Sequence, residues 1–149
     1  RMKYDLDTKI VRIFNTYGPY MDADDGRVVS NFVNQCISND SITIYGSGSQ
    51  TRSLCYVSDM VEGLIKFMNS EEHGPINMGN PNELIIKDLA VKIKNLTGSS
   101  SEIIHMPIPE GDPQLRCPNI NKAIDRLKWS PTVDLDDGLL KTIEYYIKS

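Results

Sequence analysis

Apolar residues recur along the chain at helical spacing in five separate stretches. The clearest stretch lies between residues 28 and 37, where Val29, Phe32, Val33 and Cys36 fall on one helical face. Four further stripes predict helices that begin near residues 58, 86, 120 and 135. Ser58 is placed to cap the second helix, and Gly98 is placed to end the third.

Short β-branched runs separate these helices. They predict strands over residues 10–14, 41–45, 53–57, 76–79 and 103–107. Residues 107–118 hold four prolines and are predicted to form a loop. Strands that alternate with helices predict the α/β class, and no repeat or linker divides residues 1–149 into more than one region.

Composition excludes several protein classes. The chain has 149 residues, of which 40% are hydrophobic and 24% charged, as in ordinary globular proteins. The net charge of −4 argues against nucleic acid as a partner. The apolar runs are far shorter than the ~20 residues of a membrane helix, so we expect no membrane contact from this segment.

The three cysteines and two histidines form no recognisable site. Cys36, Cys55 and Cys117 are widely spaced, without a Cys-x-x-Cys pair, and are expected to be reduced thiols. His73 and His105 lie apart from any cysteine and from each other. We therefore expect no metal site.

Three arginines lie in loops beside glycine or proline. Arg27 follows Asp-Asp-Gly, Arg52 follows a Gly/Ser loop, and Arg116 lies in a proline-rich loop. A guanidinium held on such a loop suits bidentate binding of phosphate or carboxylate. Each arginine alone could equally pair with a nearby aspartate, but three such loops in one small region favour an anion site.

Motifs in a fixed order carry a family resemblance. They are Arg12-Ile-Phe-Asn-Thr-Tyr-Gly-Pro19, Asp25-Gly-Arg-Val-Val-Ser-Asn-Phe32, Ile44-Tyr-Gly-Ser-Gly-Ser-Gln-Thr-Arg52, Tyr56-Val-Ser-Asp59, Asn77-Met-Gly-Asn80 and Asp112-Pro-Gln-Leu-Arg-Cys-Pro-Asn-Ile120. The set resembles the extended short-chain dehydrogenase/reductase family of nucleotide-sugar enzymes, and most closely its UDP-glucuronate decarboxylases. The resemblance covers essentially the whole chain.

The resemblance implies a fold and an activity. The chain would be the C-terminal part of an extended short-chain dehydrogenase: the last Rossmann strands plus most of a small α/β domain that binds the sugar nucleotide. The full enzyme would bind NAD and a UDP-sugar. NAD+ would oxidise C4 of the glucuronate, the β-keto acid would lose CO2, and NADH would return the hydride to give UDP-xylose.

The resemblance also implies roles for individual residues. Asn15 and Thr16 would lie where nicotinamide meets substrate, and Arg27 would reach a phosphate or the cofactor. The start of the helix after Arg27 would face the nucleotide, with substrate contacts at Val28, Ser30, Asn31 and Phe32.

The remaining implied contacts lie further along the chain. Thr43 and Tyr45 would flank the uracil, and Arg52 would pair with the diphosphate. Arg116 would face the sugar carboxylate and serve as a catalytic residue, by stabilising the negative charge that forms as CO2 leaves. Tyr20 and Cys117 depart from the family pattern, because basic residues are common at both positions.

The dinucleotide-binding half of the family is not recognisable in this chain. It has neither a GxxGxxG loop nor a Tyr-x-x-x-Lys pair, and it begins at Arg1 in what reads as the tail of a helix. We therefore expect a fragment that has no activity alone, from a full-length protein that forms a homodimer in the cytoplasm, or in the Golgi lumen if an anchor lies upstream.

Two classes of alternative stay open. One is another enzyme of the superfamily, a dTDP-glucose 4,6-dehydratase or a UDP-sugar 4-epimerase. The Asp-Pro-Gln-x-Arg loop with Arg116 favours the decarboxylase, because a carboxylate substrate calls for an additional cation. The other is a non-catalytic module that binds a nucleotide or a partner chain.

Overall fold

The computed structural model describes residues 6–23, 25–108 and 116–149. The described part contains eight strands: β1 (Val11–Ile13), β2 (Thr16–Tyr17), β3 (Ile42–Tyr45), β4 (Thr51–Ser53), β5 (Cys55–Tyr56), β6 (Ile76–Met78), β7 (Glu83–Ile85) and β8 (Ile103–Met106). It also contains five helices: α1 (Val28–Ser38), α2 (Val57–Met68), α3 (Ile86–Thr97), α4 (Asn121–Leu127) and α5 (Leu135–Lys148). The predicted α/β class and all five predicted helices are confirmed.

The strands pair two by two. Three pairs are parallel: β1 with β6, β2 with β5, and β3 with β8. The pair β4–β7 is antiparallel and places Arg52 opposite Leu84. Parallel partners need a crossover connection, and helices of the chain lie in each of these connections.

The strand predictions were wrong in three details. Residues 53–57 were predicted as one strand, but β4 and β5 are separate strands with different partners, and Leu54 lies between them. β2 was not predicted, because its two residues are followed directly by the turn residues Gly18 and Pro19. β7 was not predicted, because its three residues run directly into α3 without a turn residue.

Two apolar clusters form the interior. The first joins α1, β3, α3 and α5 through buried residues such as Val33, Ile44, Ile93 and Leu139. The second surrounds Trp129, which is 1% exposed, and joins α2, β6 and α4. β5 contributes to both, because Tyr56 lies in the first cluster and Cys55 in the second.

A buried carboxylate ties α2 to the segment before α5. Asp59 is 3% exposed, and its oxygens accept hydrogen bonds from the N–H groups of Thr132 (3.0 Å) and Val133 (2.9 Å) and from the Thr132 hydroxyl (3.1 Å). The backbone carbonyl of Asp59 also accepts the indole N–H of Trp129 at 2.9 Å. α2 begins at Val57, and Tyr56 is its N-cap residue. The prediction of Ser58 as the cap was therefore wrong.

α5 holds the loop after β2 in place. The Tyr146 hydroxyl donates to the carbonyl of Met21 at 2.8 Å, and the Tyr17 hydroxyl donates to the carbonyl of Leu135 at 3.3 Å. These contacts fix the chain between β2 and α1, where the cleft described below is formed.

A cleft lined by three arginines

A cleft of about 780 Å³ opens between the end of β1, the start of α1, and β3. It brings together ten of the eleven residues predicted as site residues: Asn15, Thr16, Arg27, Val28, Asn31, Phe32, Thr43, Tyr45, Arg52 and Arg116. These residues lie between positions 15 and 116 of the chain, and the fold brings them together on one surface.

Ser30 is the exception. It is fully buried, and its hydroxyl donates to Asp25 Oδ1 instead of facing the cleft. The same Asp25 oxygen accepts the N–H of Arg27 at 2.9 Å. Ser30 therefore braces the loop that leads into α1, and its predicted contact with substrate is replaced by this structural role.

The start of α1 lies at the cleft, and Arg27 and Val28 line it. The N–H groups in the first turn of a helix have no partner within the helix, so this end carries a partial positive charge. Arg27 is the N-cap residue, and no side chain caps the helix. Its side chain is 66% exposed, with Nε 3.6 Å from Asp25 Oδ2. The geometry suits an anion near the helix start.

Arg52 and Arg116 line the cleft although they lie far apart in the sequence. Arg52 lies in β4, and its Nη1 donates to the carbonyl of Thr51 at 2.8 Å. The hydroxyl of its neighbour Ser53, which is 1% exposed, donates to the backbone carbonyl of Arg116 at 3.2 Å. Ser53 thus ties the two arginines to one wall, a role that the sequence analysis missed.

Asn15 and Thr16 lie at the junction between β1 and β2. The carbonyl of Asn15 accepts the N–H of Cys55 at 2.9 Å, and the Thr16 hydroxyl donates to the carbonyl of Phe14 at 3.0 Å. Both residues are therefore fixed by backbone contacts while they line the cleft. Residues 112–115 of the sixth motif, which ends at Ile120, lie outside the described part.

All charged side chains in the described lining of the cleft are positive. Among the described residues that line it, three side chains are guanidinium groups and none is a carboxylate. Guanidinium groups stay protonated and bind phosphate or carboxylate through parallel N–H donors. The cleft can therefore hold a ligand with several negative charges.

Two buried ionisable groups lie in or beside the cleft, Tyr17 in its lining and Cys55 next to Asn15. Burial raises the pKa of the Cys55 thiol to about 12 and raises the pKa of the Tyr17 hydroxyl above its ordinary value. Both groups are therefore neutral at pH 7. Within the ranges that the structure describes, no three His, Cys, Asp or Glu side chains cluster as metal ligands.

Comparison with known proteins identifies the family. A model of the NAD-dependent epimerase/dehydratase family matches residues 1–79, which is more than half of the chain. The chain belongs to this family. The family that the motifs suggested is therefore confirmed, and the α/β fold agrees with it.

Several epimerase/dehydratase family members named UDP-glucuronic acid decarboxylase are similar in sequence. Decarboxylase 1 of Danio rerio is 49% identical over 95% of this chain and 34% of its own length. Decarboxylase 3 of Arabidopsis thaliana is 48% identical over 92% of this chain and 40% of its own length. The chain thus spans about a third to two fifths of these curated relatives.

Solved structures of the family match closely. UDP-glucose 4-epimerase of Thermotoga maritima, solved with UDP-glucose, has a TM-score of 0.94 and 29% identity, over 99% of this chain and 48% of that protein. UDP-glucuronic acid 4-epimerase of Bacillus cereus, solved with UDP-glucuronic acid and NAD, has a TM-score of 0.90 and 27% identity, over 99% and 47%. The chain therefore matches part of a larger epimerase fold.

Within the part of the chain that the structure describes, none of the helices is long and apolar enough to cross a membrane.

Proposed function

We propose that this chain is the substrate-binding part of an NAD-dependent UDP-glucuronate decarboxylase, an enzyme that forms UDP-xylose and CO2. The observation that carries the proposal is the cleft lined by Arg27, Arg52 and Arg116 without a carboxylate among its described lining residues. UDP-glucuronate carries a diphosphate and a sugar carboxylate, so its negative charges match this arrangement. The identity of 47–49% to proteins named UDP-glucuronic acid decarboxylase supports the choice of substrate.

Different residues of the cleft bind different parts of UDP-glucuronate. Arg52 pairs with the diphosphate, Thr43 and Tyr45 flank the uracil, and the start of α1 with Asn31 and Phe32 faces the nucleotide. Arg116 faces the sugar carboxylate and stabilises negative charge at the reacting carbon as CO2 leaves. Its charge is permanent, so it acts in the same ionic form before and after the loss of CO2.

Asn15 and Thr16 suit the nicotinamide end of NAD, and Arg27 suits a phosphate of the substrate or the cofactor. They offer amide, hydroxyl and guanidinium groups on the wall where β1 meets the start of α1. When bound, NAD supplies the hydride acceptor and donor at C4 of the sugar. This chain has no Tyr-x-x-x-Lys pair, so we assign the proton transfer at the C4 oxygen to residues outside it.

Assembly and compartment complete the proposal. The full-length protein would be a homodimer with no nucleic-acid partner, in line with the family resemblance and the net charge of −4. A reducing compartment such as the cytoplasm suits the three free cysteines, of which Cys36 and Cys55 are buried and Cys117 exposed. Light scattering of the full-length protein and imaging of a tagged form test these two statements.

The test is product analysis with the full-length protein, NAD+ and UDP-glucuronate. We expect UDP-xylose and one CO2 for each substrate consumed. The B. cereus neighbour is named a UDP-glucuronic acid 4-epimerase, so the second candidate is an epimerase that keeps the carboxylate. An epimerised UDP-sugar acid without CO2 would establish the epimerase and reject the decarboxylase.

A further inference from the structure

A tight turn leads the chain past the cleft and into α1. Gly26, the middle residue of this turn, has φ 74°, in the left-handed region that glycine adopts without strain. The side chain of Asp25 closes the turn, because its Oδ1 accepts the backbone N–H of Arg27, two residues later, at 2.9 Å. Gly26 and Arg27 both line the cleft. The sequence Asp-Gly-Arg therefore brings an arginine to the cleft through a turn that Asp25 and Gly26 define.

Asp25 makes two further contacts around Arg27. Its Oδ1 also accepts the hydroxyl of Ser30, which is fully buried in the first turn of α1. The same hydroxyl lies 3.0 Å from the carbonyl oxygen of Arg27. Asp25 Oδ2 lies 3.6 Å from Nε of Arg27, and the Asp25 side chain is only 17% exposed. The Asp25 carboxylate thus connects Arg27 to a buried residue of the helix.

The hydrogen bonds of the turn contribute more to this arrangement than the ion pair does. The Arg27 side chain is 66% exposed, and an ion pair between exposed groups contributes little free energy. The two hydrogen bonds of Asp25 Oδ1 instead fix the backbone of Arg27 relative to α1. They leave the N–H groups inside the first turn of the helix without a side-chain cap. Asp25 therefore orders Arg27 without covering the start of the helix.

We propose that Asp25 is a positioning residue that orders Arg27 for binding to the diphosphate of UDP. An arginine loses conformational freedom when it binds a ligand, and this loss reduces the affinity. The turn removes part of that freedom before the ligand binds. This inference rests on the proposed function, and it assigns Arg27 to a phosphate of the sugar nucleotide.

Two neutral replacements of Asp25 separate its hydrogen bonds from its charge. Asp25→Asn keeps an oxygen that can accept both the Arg27 N–H and the Ser30 hydroxyl, whereas Asp25→Ala loses both hydrogen bonds. Both variants lose the same negative charge, so a general electrostatic effect on a bound diphosphate is equal in the two. Ser30→Ala removes one of the two hydrogen bonds without a change of charge, and it provides the test if Asp25→Ala does not fold.

The experiment is calorimetric titration of the 149-residue chain with UDP. We expect Asp25→Ala to bind UDP about two- to tenfold more weakly than Asp25→Asn, the scale of ordering one long side chain. Ser30→Ala should weaken UDP binding in the same direction. Both effects should disappear when Arg27→Ala is also present, because Asp25 acts on the ligand through the Arg27 side chain. The thermal stability lost in Asp25→Ala should be lost in both backgrounds, since the N–H of residue 27 remains.

Equal affinity of Asp25→Ala and Asp25→Asn for UDP would overturn the inference. A difference that persists in the presence of Arg27→Ala would also overturn it, because Asp25 would then act on the helix and not through Arg27. In both cases UDP binding by the unaltered chain would still support the proposed function. Absence of UDP binding by the unaltered chain would refute the proposed function and the inference with it.

Discussion

At the scale of single residues, Arg52 is the side chain that we propose binds the diphosphate. It lies on a short strand that is paired on one side with β7 and joined through Ser53 to the backbone of Arg116. A guanidinium positioned in this way loses little side-chain freedom when it binds, so each hydrogen bond to phosphate retains most of its free energy.

Arg52→Ala should therefore weaken UDP binding by about one to two decades in dissociation constant, which corresponds to the ~1.5–3 kcal/mol of a hydrogen bond to a charged group. Isothermal titration calorimetry on the 149-residue chain measures it. Arg126→Ala is the control, because Arg126 is an exposed arginine of α4 that pairs with Glu72 at 3.6 Å. Equal loss in both variants would mean that Arg52 contributes only through net charge.

The predictability of the site also differs from residue to residue. Ten of the eleven residues predicted from the motifs line one cleft, and their roles in binding stay predictions. The burial of Ser30 could not be predicted, because the sequence does not show which residues in the first turn of a helix face inward. Ser53 was missed because its partner, the backbone of Arg116, is brought next to it only in the folded chain.

At the scale of elements, the contact between α2 and residues 132–133 shows what holds the helices in place. Asp59 lies in the first turn of α2, where its negative charge also favours the helix dipole. Asp59 is buried, and its two oxygens accept three hydrogen bonds from Thr132 and Val133.

Asp59→Ala should lower the free energy of unfolding by about 3 kcal/mol, because it removes three hydrogen bonds to a buried carboxylate. Asp59→Asn should cost much less. Its amide oxygen can accept both N–H groups, while its nitrogen donates to the Thr132 hydroxyl after that hydroxyl rotates.

Urea denaturation measures both changes, with Asp125→Ala at an exposed position of α4 as the control. Equal destabilisation by Asp59→Ala and Asp59→Asn would contradict the hydrogen-bond explanation and indicate that the charge itself is what matters.

Helices were more predictable than strands at this scale. Four of the five helices are at least 11 residues long, so their periodic stripes stand out. The strands have two to four residues, too few for alternation to define a boundary. This is why β4 and β5 were joined in the prediction and β2 and β7 were overlooked. The predicted C-cap Gly98 was confirmed, with φ 65° in the left-handed region.

At the scale of the whole molecule, the two apolar clusters share β5. Since Cys55 and Tyr56 are adjacent and contribute to different clusters, loss of one cluster removes a support of the other. Unfolding should therefore be cooperative.

Thiol labelling across a urea gradient measures this cooperativity, because Cys36 lies in the first cluster and Cys55 in the second. Only the exposed Cys117 should react in the native chain. Burial raises the pKa of both other thiols and also blocks access to the reagent. The two buried thiols should become reactive with the same urea midpoint. Separate midpoints would show that the clusters unfold independently.

The central claim is that the cleft takes a nucleotide sugar that carries a carboxylate, and that Arg116 faces this carboxylate. The most direct measurement compares the affinity of the 149-residue chain for UDP-glucuronate and for UDP-glucose, with and without Arg116→Ala. We predict that UDP-glucuronate binds about tenfold more tightly or better. Arg116→Ala should abolish this preference and leave the affinity for UDP little changed. Equal affinity of the unaltered chain for the two sugar nucleotides would contradict the account.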